Sequence, residues 1–200
     1  MLQNKYDFIY LFDVTNGNPN GDPDAGNEPR MDAETGIGYV TDVCLKRKVR
    51  NYIDLVKNGE PGYNILIKND KPLNEKFRAA YEAEGLEPDK TKKGTNPANE
   101  WKAQQFMCRN YYDVRTFGAV MSTGENSCGI VRGPVQFSFA DSISPISINP
   151  VTITRQAKTD SKRAEKGDTE MGNKSLVPYG LYRMSGHVSA ALANKQTGLS

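Results

Sequence analysis

Residues 15–38, TNGNPNGDPDAGNEPRMDAETGIG, constrain the fold more than any other stretch of the chain. Gly, Pro, Asn and Asp dominate it, so neither a helical nor a strand-like apolar period runs through it. A strand-like run precedes it and a helix-like run follows it. A loop of this length inside a compact domain is usually functional or disordered.

In the flanking run YDFIYLFDV (6–14), Phe8, Tyr10, Phe12 and Val14 fall on one face, and Ile9 and Leu11 on the other. A strand apolar on both faces is expected at the centre of a covered sheet. Residues 41–57 read as a helix with Thr41 or Asp42 as its cap. Leu45, Val49, Tyr52, Ile53 and Val56 form its apolar stripe, and Lys46, Arg47 and Arg50 lie off it. Residues 58–112 read as an insertion, with short helices at 72–84 and 98–111 and the basic loop EPDKTKKGTNP between them. Val114, Phe117, Val120 and Met121 predict a buried helix over 113–122. Val135, Phe137 and Phe139 alternate as in a strand. Residues 150–183 predict a long hairpin turning at KGDTEMGNK, and HVSAALA (187–193) a last strand. The fold class is α+β, without internal repeats.

Two hundred residues make one domain, or one domain with a large insertion. Apolar residues are 37% of the chain, which predicts a modest core and long solvated excursions. The 26 basic and 24 acidic residues leave a net charge of +2, so only local clustering can argue for nucleic acid. Cys44, Cys108 and Cys128 are widely spaced and odd in number, which fits reduced thiols better than a disulfide framework or a zinc knuckle. The longest apolar run, Phe8 to Phe12, is too short for a membrane span. The N-terminal stretch lacks the layout of a signal peptide.

Four constellations could carry chemistry. Lys46 and Arg50, one helical turn apart in the run KRKVR, have the spacing of two contacts to adjacent phosphates; the alternative is an ordinary solvated helix face. The loop at 15–38 leads into that helix, and its backbone N–H groups could cradle a phosphate. It has no P-loop signature. Asn16, Asn18, Asn20 and Gly21 echo a calcium loop, but Asn27 stands where the bidentate Glu is needed, so calcium is not expected. Asp22, Asp24, Glu28 and Asp32 are the carboxylates a divalent ion would draw on; the alternative is a solvated turn-rich loop. The polar hairpin carries Arg155, Lys158, Lys162, Arg163, Lys166 and Lys174, with Met171 near its tip, where an apolar side chain can act as a wedge between bases or sit exposed without a role. His187 is the sole histidine. In its alternating segment it reads as a core residue rather than a catalyst. No hydrolase or zinc-protease motif is present.

The stretch YLFDVTNGNPNGDPDAGNEPRMDAETGIGYVTDVCLKRKVRNYI closely resembles the start of the backbone subunit of the type I-C CRISPR Cascade complex. DVRTFGAVMS, GPVQFSFADSISPI, VTITR and LVPYGLYRMSGHVSA resemble the same family in the same order. The resemblance implies a modified RRM-like, ferredoxin-like palm with an inserted fingers region and a protruding β-hairpin thumb. On that expectation, 1–57, 113–151 and 179–200 are palm, 58–112 fingers and 152–178 thumb. It implies a non-catalytic cytoplasmic subunit without a cofactor or metal, which oligomerises along a CRISPR RNA. Its further partners would be target DNA and other Cascade subunits, with no membrane. Base pairing supplies the specificity in such a complex. Carried onto this chain, the phosphate contacts are Thr41, Lys46, Arg47, Arg50, Arg115, Arg155, Lys158 and Lys174. Met171 is the base wedge, and Lys90, Lys92 and Lys93 face target DNA.

Family members run beyond 200 residues, so a palm helix and a strand are expected to be missing, leaving a sheet edge or face uncovered. The competing expectation is a metal-dependent endoribonuclease of the same superfamily. Related subunits of type III complexes cut target RNA with an acidic residue and a metal. Asp22, Asp24 or Asp32 would supply that residue here. A weaker version uses His187 as general acid–base.

Overall fold

Strand β1 (Tyr6–Gly17) stands at one end of the strand order β1-β9-β7-β4, beside β9 (Glu170–Val188). Then come β7 (Val135–Ser142) and β4 (Tyr39–Val40), and β8 (Asn149–Arg155) pairs with β9 as the fifth strand. The computed structural model describes residues 2–88, 96–155 and 170–199. β4 runs antiparallel to β7, and β8 to β9, from Asn149↔Leu176 to Arg155↔Glu170. The central, covered position expected for β1 is not what the structure holds: Phe8, Ile9, Tyr10 and Leu11 are all exposed. Apolar residues on both faces make a strand sticky, but burial also needs neighbours on both edges and layers on both faces, and among the described residues β1 has one sheet neighbour, β9.

The chain divides into two units, residues 1–8, 45–137 and 186–200 in the first and 9–44 and 138–185 in the second. The core of the first unit is built by Leu66, α2 (Leu73–Ala83), α3 (Pro97–Asn110), α4 (Tyr112–Phe117) and the hairpin β5 (Gly118–Met121) and β6 (Gly129–Arg132). Phe77, Ala80, Tyr81, Ala103, Met107 and Cys108 all belong to it. The stretch read as a polar insertion therefore supplies most of this core, because two amphipathic helices hide their apolar stripes against each other. Asn96 caps α3 by accepting from the Ala98 N–H at 3.0 Å, with Pro97 at the first turn.

Helix α4 ends at Phe117, not at 122 as expected. Gly118 has φ +78°, and a Cβ there would lie 2.3 Å from the Val131 carbonyl oxygen. Only glycine fits that crossing, and the chain leaves it as β5. Val120 is consequently exposed. The expected strand at 187–193 is also replaced. β9 stops at Val188, Ser189 accepts from the Leu192 N–H at 3.4 Å, and a helical turn at Ala190–Leu192 continues into a π-turn at Ala193–Thr197. Of the turn expected at KGDTEMGNK, residues 170–174 are strand, and the preceding part lies outside the described residues.

Two glutamines close the free edge of β6. Gln196 Nε2 donates to the Ile130 carbonyl at 3.0 Å, and its Oε1 accepts from the Arg132 N–H at 3.3 Å. Gln104 Nε2 donates to the same carbonyl at 3.1 Å. In the second unit, Val40, Ala140, Ile146, Val177, Tyr182 and Met184 are buried. Phe12 stacks on Tyr182 with ring centroids 5.4 Å apart.

Candidate nucleic-acid interface

The loop at 15–38 is folded into short, cross-braced turns. β2 (Gly21–Asp22) pairs antiparallel with β3 (Glu28–Pro29), and a 3-10 turn, Pro23–Ala25, connects them. Asn27 turns back with φ +64°, a region asparagine tolerates, and its N–H donates to the Asp22 carbonyl at 2.7 Å. Asn18 Nδ2 donates to the Asn27 carbonyl at 2.8 Å. Asn20 Oδ1 accepts from both the N–H and the hydroxyl of Thr41, at 3.0 and 2.9 Å. Thr41 Oγ1 in turn accepts from the Cys44 N–H at 3.3 Å. Thr41 is thus the cap of α1 (Asp42–Val56), tied back to the loop through Asn20.

Three carboxylates of this loop, those of Asp22, Asp32 and Glu28, are occupied locally, and Asp24 is exposed. Asp22 is ion-paired with Arg30 at 3.4 Å and accepts from the Asp24 N–H at 3.1 Å. Asp32 accepts from the Thr35 hydroxyl at 2.7 Å and N–H at 2.8 Å, and those bonds hold its carboxyl below the usual range. Glu28 accepts from the Ser175 hydroxyl at 3.4 Å. Among the described residues, no three His, Cys, Asp or Glu side chains gather where they could hold a metal ion. His187, read as a core residue, is exposed on β9.

A groove of about 660 Å³ lies in the second unit between this loop and the base of the β8–β9 arm. Asn16, Gly17, Asn18, Gly26 and Asn27 form one wall, and Asn173, Lys174 and Ser175 the other. Among the described residues its lining is mostly neutral amides and backbone, with Lys174 as its one cation and Glu28 as its one anion. The groove-lining asparagines were visible in the sequence only as an echo of a calcium loop. Their use as turn braces and groove walls depends on the left-handed conformations of Asn16 and Asn27, which no spacing reveals.

The first helix presents its cations differently from the expectation. Arg50 is buried: its Nε–H donates to Asp113 Oδ2 at 2.9 Å, and its guanidinium lies 5.3 Å from the centre of the Phe117 ring. Arg50 and Lys46 are therefore not a pair of outward cations, and the apolar Tyr52, Leu55 and Val56 are exposed instead. Burying Arg50 is tolerable because Asp113, itself buried, also accepts from the Leu66 and Ile67 N–H groups at 2.8 and 3.1 Å. Lys46 is half-buried with its ammonium 5.8 Å from the Phe117 ring centre. Arg47 Nη1 donates to the Ile67 carbonyl at 2.7 Å, and Lys48 is exposed.

Arg115 spends its guanidinium on the carbonyls of Cys108, Arg109 and Gly62, at 3.0, 3.1 and 2.9 Å, which makes it a brace of the α3 terminus. Lys90, Lys92, Lys93 and Lys158 lie outside the described residues. So do the side chains of Arg155 and Met171, whose backbones are paired at Arg155↔Glu170 and Thr154↔Met171.

A mixed α/β protein with an antiparallel sheet, a two-stranded arm and a polar groove at the arm's base is the class that this geometry defines. Residues 4–200 match the family described as CRISPR-associated protein Cas7, and the chain belongs to that family. A 65-residue stretch is 37% identical to CRISPR-associated protein Cas7 of Haloferax volcanii; it takes in 32% of this chain and 18% of that protein's length. A chain of the solved CRISPR RNA-guided surveillance complex, pre-nicking, superposes with a TM-score of 0.57 at 16% identity, over 98% of this chain and 68% of that one. That likeness is one of fold.

Proposed function

We propose that this chain is a non-catalytic CRISPR RNA-binding subunit of a type I-C Cascade complex. It oligomerises along the guide and presents it for pairing with target DNA, alongside other Cascade subunits. The reading rests on family membership. The observation that carries it to particular residues is the groove at the base of the β8–β9 arm, with Lys174 on its wall. A strand of RNA lying there meets one cation and a row of amides and backbone groups, which hold a backbone without reading sequence.

In this reading 1–57, 113–151 and 179–200 are palm, 58–112 fingers and 152–178 thumb. Lys46, Arg47, Thr41, Arg155, Lys158 and Lys174 face RNA, Met171 wedges between bases, and Lys90, Lys92 and Lys93 face target DNA. Arg50 and Arg115 leave the set, because Arg50 is buried against Asp113 and Arg115 gives three hydrogen bonds to backbone carbonyls, whereas Arg47 gives one. The engagement of Asp22 with Arg30 and of Asp32 with Thr35 weighs against those two residues in the nuclease alternative, which leaves it the exposed Asp24.

The test is binding to a CRISPR RNA at several salt concentrations, with a sizing readout and a magnesium cleavage control. Stepwise growth with RNA length, without cleavage, is the expected result. A chain that stays monomeric and ignores RNA, or one that cuts a complementary RNA with magnesium, overturns it.

A further inference from the structure

Among the described residues, Glu28 is the one carboxylate lining the groove at the arm's base. In a groove built only for phosphates it is out of place, because a carboxylate there repels them. It does not serve Lys174 either, since among the described residues Lys174 has no ion-pair partner. Glu28 instead reaches from β3 to the opposite wall, where one of its oxygens accepts from the Ser175 hydroxyl at 3.4 Å. That long bond uses one of about four acceptor positions on a carboxylate. Glu28 is exposed, so the rest are open to solvent.

Donors and acceptors in the lining are unequally spent. Asn18 Nδ2 donates to the Asn27 carbonyl at 2.8 Å, which fixes the orientation of that amide. Asn18 Oδ1, an acceptor, is left buried without a partner. Ser175 has a single hydroxyl proton, and it goes to Glu28. Lys174 can hold a phosphate, but a phosphodiester has no proton to offer Glu28. Two kinds of group on a nucleic acid can offer one: base amines and the ribose 2′-hydroxyl. Base amines change with sequence. The 2′-hydroxyl stands on every ribonucleotide and is the group by which a protein tells RNA from DNA.

We infer that this groove selects ribose: Lys174 takes a phosphate, and Glu28 accepts a hydrogen bond from a 2′-hydroxyl of the same strand. The inference rests on the RNA reading and adds discrimination to it. A DNA strand brings the same phosphates to Lys174, meets the charge of Glu28, and has no proton to satisfy it.

The test measures the affinity of the full chain for three oligomers of one length: oligouridylate, oligodeoxyuridylate and 2′-fluoro oligouridylate. Uracil carries no exocyclic amine, and the 2′-fluoro sugar keeps an RNA-like pucker without the donor. Oligouridylate should bind about tenfold tighter than either of the others, the lower end for a hydrogen bond to a charged group. Glu28→Ala, at an exposed position, should close that gap with the circular-dichroism spectrum unchanged. Ser175→Ala, which removes the tie between loop and arm, should keep it. Equal affinities of the parent chain for all three oligomers overturn the inference and leave RNA binding standing. So does a gap that survives Glu28→Ala, or a 2′-fluoro strand bound as tightly as RNA, which would mean that sugar shape is read. A gap lost equally in Ser175→Ala would make Glu28 a brace and overturn it as well. A parent chain that binds none of the three overturns the RNA reading itself, and this inference with it.

Discussion

Arg50 and Asp113 meet in the interior of the first unit with Nε and Oδ2 2.9 Å apart, and the same carboxylate holds the backbone N–H groups of Leu66 and Ile67. One aspartate therefore joins α1, α4 and the segment between α1 and α2. Truncating it strands a buried guanidinium and two amides. Asp113→Ala should cost about 3–5 kcal/mol, measured as a fall in the urea midpoint. Arg50→Met should cost less than that, since its apolar chain can occupy the site beside Phe117. An Asp113→Ala chain as stable as the parent would show that the pair does not support the fold.

The RNA reading separates structural cations from phosphate contacts by salt dependence. Replacing Lys46 and Lys174 together with Ala should lower the slope of log affinity against log salt by about 1.4, at roughly 0.7 per contact on a single strand. Arg50→Met should leave that slope unchanged while lowering stability. The reverse pattern would put Arg50, and not the two lysines, on the RNA.

The three thiols should react at different rates. Cys44 is half-buried, with Sγ 3.5 Å from the Pro19 carbonyl, whereas Cys108 and Cys128 are buried. Burial pushes Cys108 up to about 11 and Cys128 up to about 12. One thiol should titrate with a disulfide reagent in the native state, and all three in denaturant. An unfolded thiol ionises near 9. Native stability is therefore untouched by these two groups below about pH 9, and falls as the pH rises from there toward 11–12. The loss is up to about 1.4 kcal/mol per pH unit for each thiol. Cys128→Ala should flatten that alkaline fall relative to the parent; an equal fall in both would assign it to other groups.

Gly118 and Gly85 both have positive φ, but only Gly118 faces backbone, since a Cβ on Gly85 meets nothing within 4 Å. Gly85→Ala should cost about 1–2 kcal/mol, the strain of the left-handed region alone. Gly118→Ala adds a clash with the Val131 carbonyl and should cost clearly more. Equal thermal midpoints for the two variants would mean that the β5–β6 crossing relaxes freely.

Periodicity located α1, whose apolar residues keep helical spacing long enough to outweigh local noise, and short helices were also legible over the stretches of α2 and α3. The hairpin arm was likewise visible as alternation, and the resemblance to the family was carried by ordered motifs. What stayed hidden depends on contacts distant in sequence. Arg50 looks like a surface cation until Asp113, 63 residues later, draws it inward. Nothing within 113–122 shows that Gly133 and Val131 pass close enough to Gly118 to end a helix. β1 looks central by composition, yet its place at the end of the sheet is decided by which strands the chain brings beside it. The loop asparagines were noticed for their oxygen atoms, whereas several act through backbone conformation and through amide N–H groups that brace turns.

Gln196 and Gln104 give β6 the hydrogen bonds of a neighbouring strand without a strand being there. An open edge invites other chains to add to it, and proteins often deter this with charge, proline or a bulge. Here two side-chain amides act as a removable stopper. Rotating the Gln196 side chain would free the Arg132 N–H, and rotating Gln104 as well would free the Ile130 carbonyl, a donor and an acceptor with strand spacing, while the β5–β6 pairing stayed intact. The edge is thus guarded against aggregation by groups that can be withdrawn through side-chain torsions alone, with no unfolding of the hairpin they protect.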